Sequence, residues 1–281
     1  MGATTVLTRH RVTPAIAFGQ LTRHRATIFC GVPTLFAAML AMPDAPPRDQ
    51  LSTRVCVSAG EALPRDIGER WTARHGCDIV DGIGSTEMLH IFLSNRPGEV
   101  RYGTTGRPVP GYELRLLGDD GREVQDGELG DLQVKGGSSA ALYWADRDRS
   151  CATFCGEWTW TGDKFSRDRD GYYVYGGRSD DMLKVGGMYV SPFEVESALI
   201  SHPSVLEAAV VGAPDAAGLI KPRAFVVLRT ACDDAEATAL REALRVHVKS
   251  RLAHYKCPHW LEFVSELPKT ATGKVQRFRL R

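Results

Sequence analysis

The apolar pattern changes character twice along the chain, near Gly98 and again after Arg178, so no single repeated unit can account for the whole. Before Gly98, residues 10 to 43 read as helical. Leu35, Phe36, Met39 and Leu40 form a stripe, and Pro43, Pro46 and Pro47 close it. Arg54–Ser58 is a β-branched run entering the loop Ala59-Gly60-Glu61. A helix is expected over Arg65–His75 and a second short strand over Asp78–Gly82, the rhythm of an α/β layer. Between the two changes, Tyr112–Leu117, Gly130–Lys135 and Gly171–Gly176 read as strands, with Gly118-Asp119-Asp120-Gly121 as a turn. This middle portion is expected to be a small antiparallel β unit. Beyond Arg178, Ser191 is placed to cap a helix with Pro192 at its first position and Glu194 completing a capping box. That helix runs to about His202. Strands at Leu206–Gly212 and Arg223–Leu228, a long amphipathic helix at Asp233–Leu252 and a strand at Trp260–Val264 complete a compact α+β unit.

The chain has 281 residues, room for about two domains at roughly 150 residues each. Lysine plus arginine number 35 against 34 acidic residues, a net charge of +1, which argues against a nucleic-acid binder. No apolar run reaches the roughly 18 residues a membrane helix needs, and MGATTVLTRHRV is too polar for a secretory signal. The seven cysteines, Cys30, Cys56, Cys77, Cys151, Cys155, Cys232 and Cys257, make no CxxC pair. That spacing argues against structural zinc and fits reduced thiols in a cytoplasmic protein.

Two glycine loops are poor phosphate cradles. In Gly103-Thr104-Thr105-Gly106-Arg107-Pro108 no lysine closes the loop, and the prolines at 108 and 110 remove donors, so it reads as a structural turn. Gly273-Lys274 has Val275 where a Mg²⁺-binding Ser or Thr would stand, and Pro268 where the first glycine would be.

Four segments matter together: Asp81-Gly-Ile-Gly-Ser-Thr-Glu87, Thr161-Gly162-Asp163, the run from Gly177-Arg178 through Lys184-Val-Gly-Gly187, and Pro268-Lys-Thr-Ala-Thr-Gly-Lys274. In order and separation they resemble the adenylate-forming superfamily of acyl-CoA synthetases, luciferases and peptide-synthetase adenylation domains, over essentially the whole chain. The likeness is strongest to aryl-CoA ligases of the benzoate type.

The resemblance implies the C-terminal portion of such an enzyme: residues 1–179 from the large AMP-binding domain and 180–281 as the small C-terminal domain, hinged at Asp180. The fold class it implies is α/β followed by α+β. The implied reaction joins benzoate or a related aromatic acid to coenzyme A, with ATP and Mg²⁺, through an acyl-adenylate. Bringing a carboxylate to a polyanion requires nearby cations, and positioning supplies most of the rest. By resemblance Lys274 is the adenylation lysine and Thr86 holds the α-phosphate. Glu87 is the Mg²⁺ carboxylate, a role one Glu can fill because Mg²⁺ often takes few protein ligands. Asp163 and Arg178 hold the ribose, while Gly60, Glu61, Ala62, Asp81 and Gly82 flank adenine. Ile83, Gly84 and His90 line the aryl pocket, with Gly84 leaving room for a flat ring. Lys184, Gly186 and Gly187 form the coenzyme A face, presented in a second pose of the C-terminal domain. Read alone, Lys274 belongs to a solvated basic cluster with Lys269, Arg277, Arg279 and Arg281, and the Gly and Asp positions are ordinary turns.

The sequence departs from that family in lacking the N-terminal half with its Ser/Thr/Gly-rich phosphate loop, so Met1 reads as an internal start. Cys30 stands where benzoate ligases tend to carry tyrosine. Two alternatives stay open: a non-catalytic nucleotide- or CoA-binding remnant, and another acyl-CoA synthetase or adenylation domain.

Overall fold

The computed structural model describes residues 2–9, 12–270 and 273–281. Met1, positions 10 and 11 of the expected first helix, and positions 271 and 272 of the Pro268–Lys274 loop lie outside the described residues.

The first part does not form one helix. α1 (Pro14–His24) starts where the Thr13 hydroxyl accepts the Ile16 N–H and Pro14 occupies the first turn, and it stops at Arg25 in the left-handed conformation. Ile28–Gly31 then forms β1, a strand where a helix was expected, and α2 (Pro33–Ala41) begins anew at Pro33. The reason is tertiary. β1 lies parallel to β2 (Val55–Ser58), residue Ile28 against Val55, and a partner strand outweighs the weak local preference of four residues. α3 (Arg65–His75), ended by Gly76, precedes β3 (Asp78–Gly84), which is parallel to β2. β4 (Ile91–Ser94) and β5 (Arg107–Pro108) add antiparallel, giving the order β1-β2-β3-β4-β5. Phe36, Met39, Cys56 and Ile79 are fully buried beneath the sheet, with the Phe36 ring 4.9 Å edge-on from Trp71.

A second sheet follows, built from β6 (Tyr112–Leu117), β7 (Gly130–Gly136), β8 (Phe154–Cys155), β9 (Trp158–Arg167) and β10 (Tyr173–Arg178), with the short helix α4 (Arg147–Thr153) between β7 and β8 in the chain. It is antiparallel, in order β10-β9-β7-β6, with β8 on β9. The expected antiparallel unit is there, but its longest member, β9, has no clean alternation in sequence because Thr161-Gly162-Asp163 interrupts it.

The last part opens with a hairpin of β11 (Leu183–Val185) and β12 (Met188–Val190), then α5 (Pro192–Ile200), β13 (Val205–Pro214), β14 (Ile220–Leu228), α6 (Asp234–Lys249) and β15 (Trp260–Phe263). β13 and β14 are antiparallel, and β15 adds parallel to β14. Val190, Val195, Leu199, Val205, Leu244 and Val248 are fully buried between sheet and helices. Ser191 caps α5 by accepting the Glu194 N–H at 3.2 Å, as expected. The return half of the capping box is replaced, because the Glu194 carboxylate takes both its oxygens to Lys256 Nζ, at 2.8 and 2.6 Å. An ammonium is a stronger partner for a carboxylate than one amide.

Candidate active site

β2 and β3 are adjacent and parallel, so both deliver their carboxyl ends to the same edge of the sheet, where ligands bind in open α/β sheets. Beyond β2 comes the loop Gly60-Glu61-Ala62. β3 itself carries Asp81, Gly82, Ile83 and Gly84, and Thr86 and Glu87 follow it. These residues line a cleft of about 650 Å³. Asp163 from β9, Arg178 from β10 and Lys274 from the C-terminal loop face the same cleft.

Lys274 arrives from far along the chain and is held there. Gly60 has a φ of 95°, and a Cβ on it would stand 3.2 Å from the Lys274 Cε, so the close approach depends on glycine at 60. The loop closes on itself, Thr270 N–H donating to the Lys274 carbonyl at 2.8 Å. Among the described residues it is fixed at three places. Val275 N–H donates to Glu61 Oε1 at 3.0 Å, Lys269 Nζ meets Glu207 at 2.7 Å, and Arg277 makes a forked pair with buried Glu196, whose Oε1 also accepts the Val210 N–H. Burial raises the Glu61 carboxyl above its ordinary range, against the opposing Val275 amide.

The other carboxylates sit in unlike settings. Burial pushes Asp163 up to about 6, although Arg178 Nη1, 3.5 Å from its Oδ1, pulls the other way. Asp81 is pushed up to about 8 by burial, and its buried Oδ1 has no hydrogen-bond partner among the described residues. A buried polar atom left unpaired in a cleft is costly and is expected where a ligand completes it. Burial alone would raise Glu87. The hydroxyl of Tyr143, donating to Oε1 at 2.5 Å, then Ser85 and the nearby Arg149, bring it below its ordinary range.

Two residues expected at the aryl pocket sit as follows. His90 is exposed and does not line this cleft; its ring nitrogens meet the Ile91 carbonyl at 2.8 Å and the Tyr112 hydroxyl at 3.2 Å. The β3–β4 connection turns it outward. Gly84 does line the cleft, but the space a side chain would take there is filled by the His90 carbonyl and the Ile91 amide. Its lack of a side chain therefore allows the close crossing of backbone between β3 and β4. Lys184, Gly186 and Gly187 lie on the β11–β12 hairpin outside the cleft, and Asp180 is exposed, its Oδ1 3.4 Å from Arg178 Nε. Tyr143 and Arg149 border the cleft and were missed in the sequence, where a Tyr-Trp pair ahead of a charged helix carries no recognisable signal.

The family described as AMP-binding enzyme matches residues 1–144, and the AMP-binding enzyme C-terminal domain matches residues 194–274. The chain belongs to the AMP-binding enzyme family. Relatives of this chain include a benzoate–CoA ligase of Thauera aromatica, 61% identical over 282 residues, and a 4-hydroxybenzoate–CoA/benzoate–CoA ligase of Rhodopseudomonas palustris, 53% identical over 286 residues. Both matches take in 100% of the chain but only 53% and 52% of those proteins, so the chain spans about half their length. The crystal structure of a benzoate CoA ligase from Burkholderia xenovorans LB400 superposes with a TM-score of 0.93 at 58% identity, covering 100% of this chain and 56% of that one. An anthranilate CoA ligase in complex with anthranoyl-AMP gives 0.93 at 49% identity, covering 99% and 54%. Among the described residues, no helix is long and apolar enough to cross a membrane, and no group of three or more His, Cys, Asp or Glu could hold a metal on its own.

Proposed function

We propose that this chain provides the adenylate-handling half of an aryl-acid–CoA ligase, with benzoate or a substituted benzoate as the acid. One observation carries the reading. Lys274 lies over Gly60 in the same cleft as Thr86, Glu87, Asp163 and Arg178. An ammonium, a hydroxyl and a carboxylate share one cleft, a set suited to a nucleotide phosphate, and the Asp163–Arg178 pair suits its ribose.

In the first step a carboxylate oxygen attacks the α-phosphorus of ATP and pyrophosphate departs, giving the acyl-adenylate. Lys274 and Thr86 stabilise the charge that builds on the α-phosphate. Asp163 accepts from the ribose hydroxyls, an acceptor-only role that suits a carboxylate. Asp81, with its orphaned oxygen, takes a donor from the base, and Ile83 forms the apolar wall for the ring. In the second step the sulfur of coenzyme A displaces AMP from the acyl carbon. For that step the unit beyond Asp180 pivots and presents the Lys184–Gly187 hairpin, and we place the domain boundary at Asp180.

Mg²⁺ fits the donor set, since it commonly takes one carboxylate and completes its shell from phosphates and water. Glu87 would hold it, and the ion would neutralise phosphate charge. The cytoplasm suits a chain whose cysteines are all free thiols.

The test is benzoate-dependent exchange of pyrophosphate into ATP on the purified 281-residue chain. It is paired with benzoyl-CoA formation from supplied benzoyl-adenylate. Activity in either assay is expected. A folded chain that is silent in both and binds no AMP would refute the reading.

A further inference from the structure

The mouth of the cleft carries a pair of side chains whose arrangement calls for a role. Tyr143 stands in the loop before α4, and its hydroxyl donates to Glu87 Oε1 at 2.5 Å. The loop is tied down on both sides of it. Ala140 N–H donates to the Glu87 carbonyl at 2.7 Å, and Tyr143 N–H donates to the Ser150 hydroxyl at 2.9 Å. The guanidinium of Arg149 lies 3.9 Å over the Tyr143 ring, and Arg149 lines the cleft beside Glu87. A planar guanidinium on an aromatic face fixes the ring and adds positive charge to it. Glu87 is therefore clamped through its backbone and through one carboxylate oxygen by the same short segment, from Ala140 to Ser150.

We propose that Tyr143, braced by Arg149, is a positioning residue that holds the Glu87 carboxylate in register for a divalent cation arriving with a nucleotide triphosphate. The inference rests on the nucleotide reading above. A metal-binding carboxylate that swings freely must be ordered on every binding event; one fixed by a neighbouring hydroxyl does not. Loss of such an outer partner typically lowers metal affinity about 10- to 100-fold.

The experiment uses the whole chain and measures binding, not turnover. Mn²⁺ is titrated in the presence of α,β-methylene-ATP and followed by its electron paramagnetic resonance signal, and AMP affinity is measured separately by calorimetry without metal. Tyr143→Phe keeps the ring and the stack and removes only the hydroxyl. It should weaken Mn²⁺ binding about tenfold while AMP affinity and melting temperature stay at the wild-type values. In a Glu87→Gln background the same change should have no further effect, because the two residues act through one contact. Wild-type Mn²⁺ affinity in Tyr143→Phe, an equal loss in AMP and Mn²⁺ binding, or additive losses in the double variant would each overturn the proposal. A wild-type chain that binds AMP but no Mn²⁺ with the analogue overturns it while leaving the nucleotide site standing. A chain that binds neither takes the nucleotide reading down as well.

Discussion

Replacing Asp81 with Asn should change how stability depends on pH more than it changes stability at any one pH. Asp81 is 5% exposed, its Oδ1 lacks a partner among the described residues, and its carboxyl is pushed from an ordinary 3.8 to about 8 by burial. The folded chain therefore keeps a proton that the unfolded chain releases above about pH 4. Because the folded state binds more protons, stability falls as pH rises through that window, by about 1.4 kcal/mol per pH unit for one full proton. Between about pH 5 and about pH 7 the difference in occupancy is nearly complete, so the wild type loses about 3 kcal/mol that Asp81→Asn does not. Other titrating groups, including His75, which burial lowers to about 4, are common to both proteins and cancel in the comparison. Guanidinium unfolding followed by tryptophan fluorescence would read the effect, since Trp71 lies in the core beneath the same sheet. The two profiles should diverge with rising pH. Parallel profiles would mean that Asp81 is charged in the folded state, and the argument from its burial would fail. AMP should flatten the wild-type slope, because a donor from the base favours the charged carboxylate.

Lys274→Ala in a full-length relative carrying this half should cut pyrophosphate exchange by about 100-fold or more and spare thioester formation from preformed adenylate; rapid-quench assays of each step separate the two, and equal losses would contradict a two-pose scheme. Arg277→Ala leaves buried Glu196 without its ion pair and should cost about 3 kcal/mol in a chemical unfolding series. Gly84→Ala drives a methyl into the His90 carbonyl; it should lower the melting temperature and weaken AMP binding together, whereas a change in aryl-acid selectivity alone would point back to a pocket role.

Much of the fold was readable where local signals and tertiary demands agree. Arg65–His75 and Tyr112–Leu117 fall where their periodicity and breakers put them. β1 was hidden because Ile28–Gly31 is short and apolar, and only its pairing with β2 makes it a strand. β9 was hidden because a strand that bends around a glycine to present Asp163 loses its alternation. The same division holds at the cleft. Residues on Asp81–Glu87 and Lys274 were legible because their spacing is distinctive, and the structure brings them together. That His90 lies outside this cleft was not legible, because sequence gives a residue's neighbours but not the side of a crossing on which its ring emerges. Tyr143 and Arg149 were invisible because what links them to Glu87 is a contact across 56 positions, with no local pattern.

The anchors of the Lys274 loop divide unequally. Lys269–Glu207 and Arg277–Glu196 both join the loop to the unit that carries it, whereas Val275–Glu61 crosses to the first sheet. The lysine is thus mounted on its domain like a tool on an arm, and withdrawing it breaks one of these three contacts instead of melting the loop. Apolar packing adds to that hydrogen bond. α2 meets β13, and Ile200 packs at once against the cores of both units. Each 1.4 kcal/mol trimmed from that seat shifts the seated fraction about tenfold. If the unit beyond Asp180 pivots as proposed, the dwell time of the charge in the cleft depends on side chains that touch no phosphate, and a smaller residue at 200 should shorten it while leaving every charged group in place.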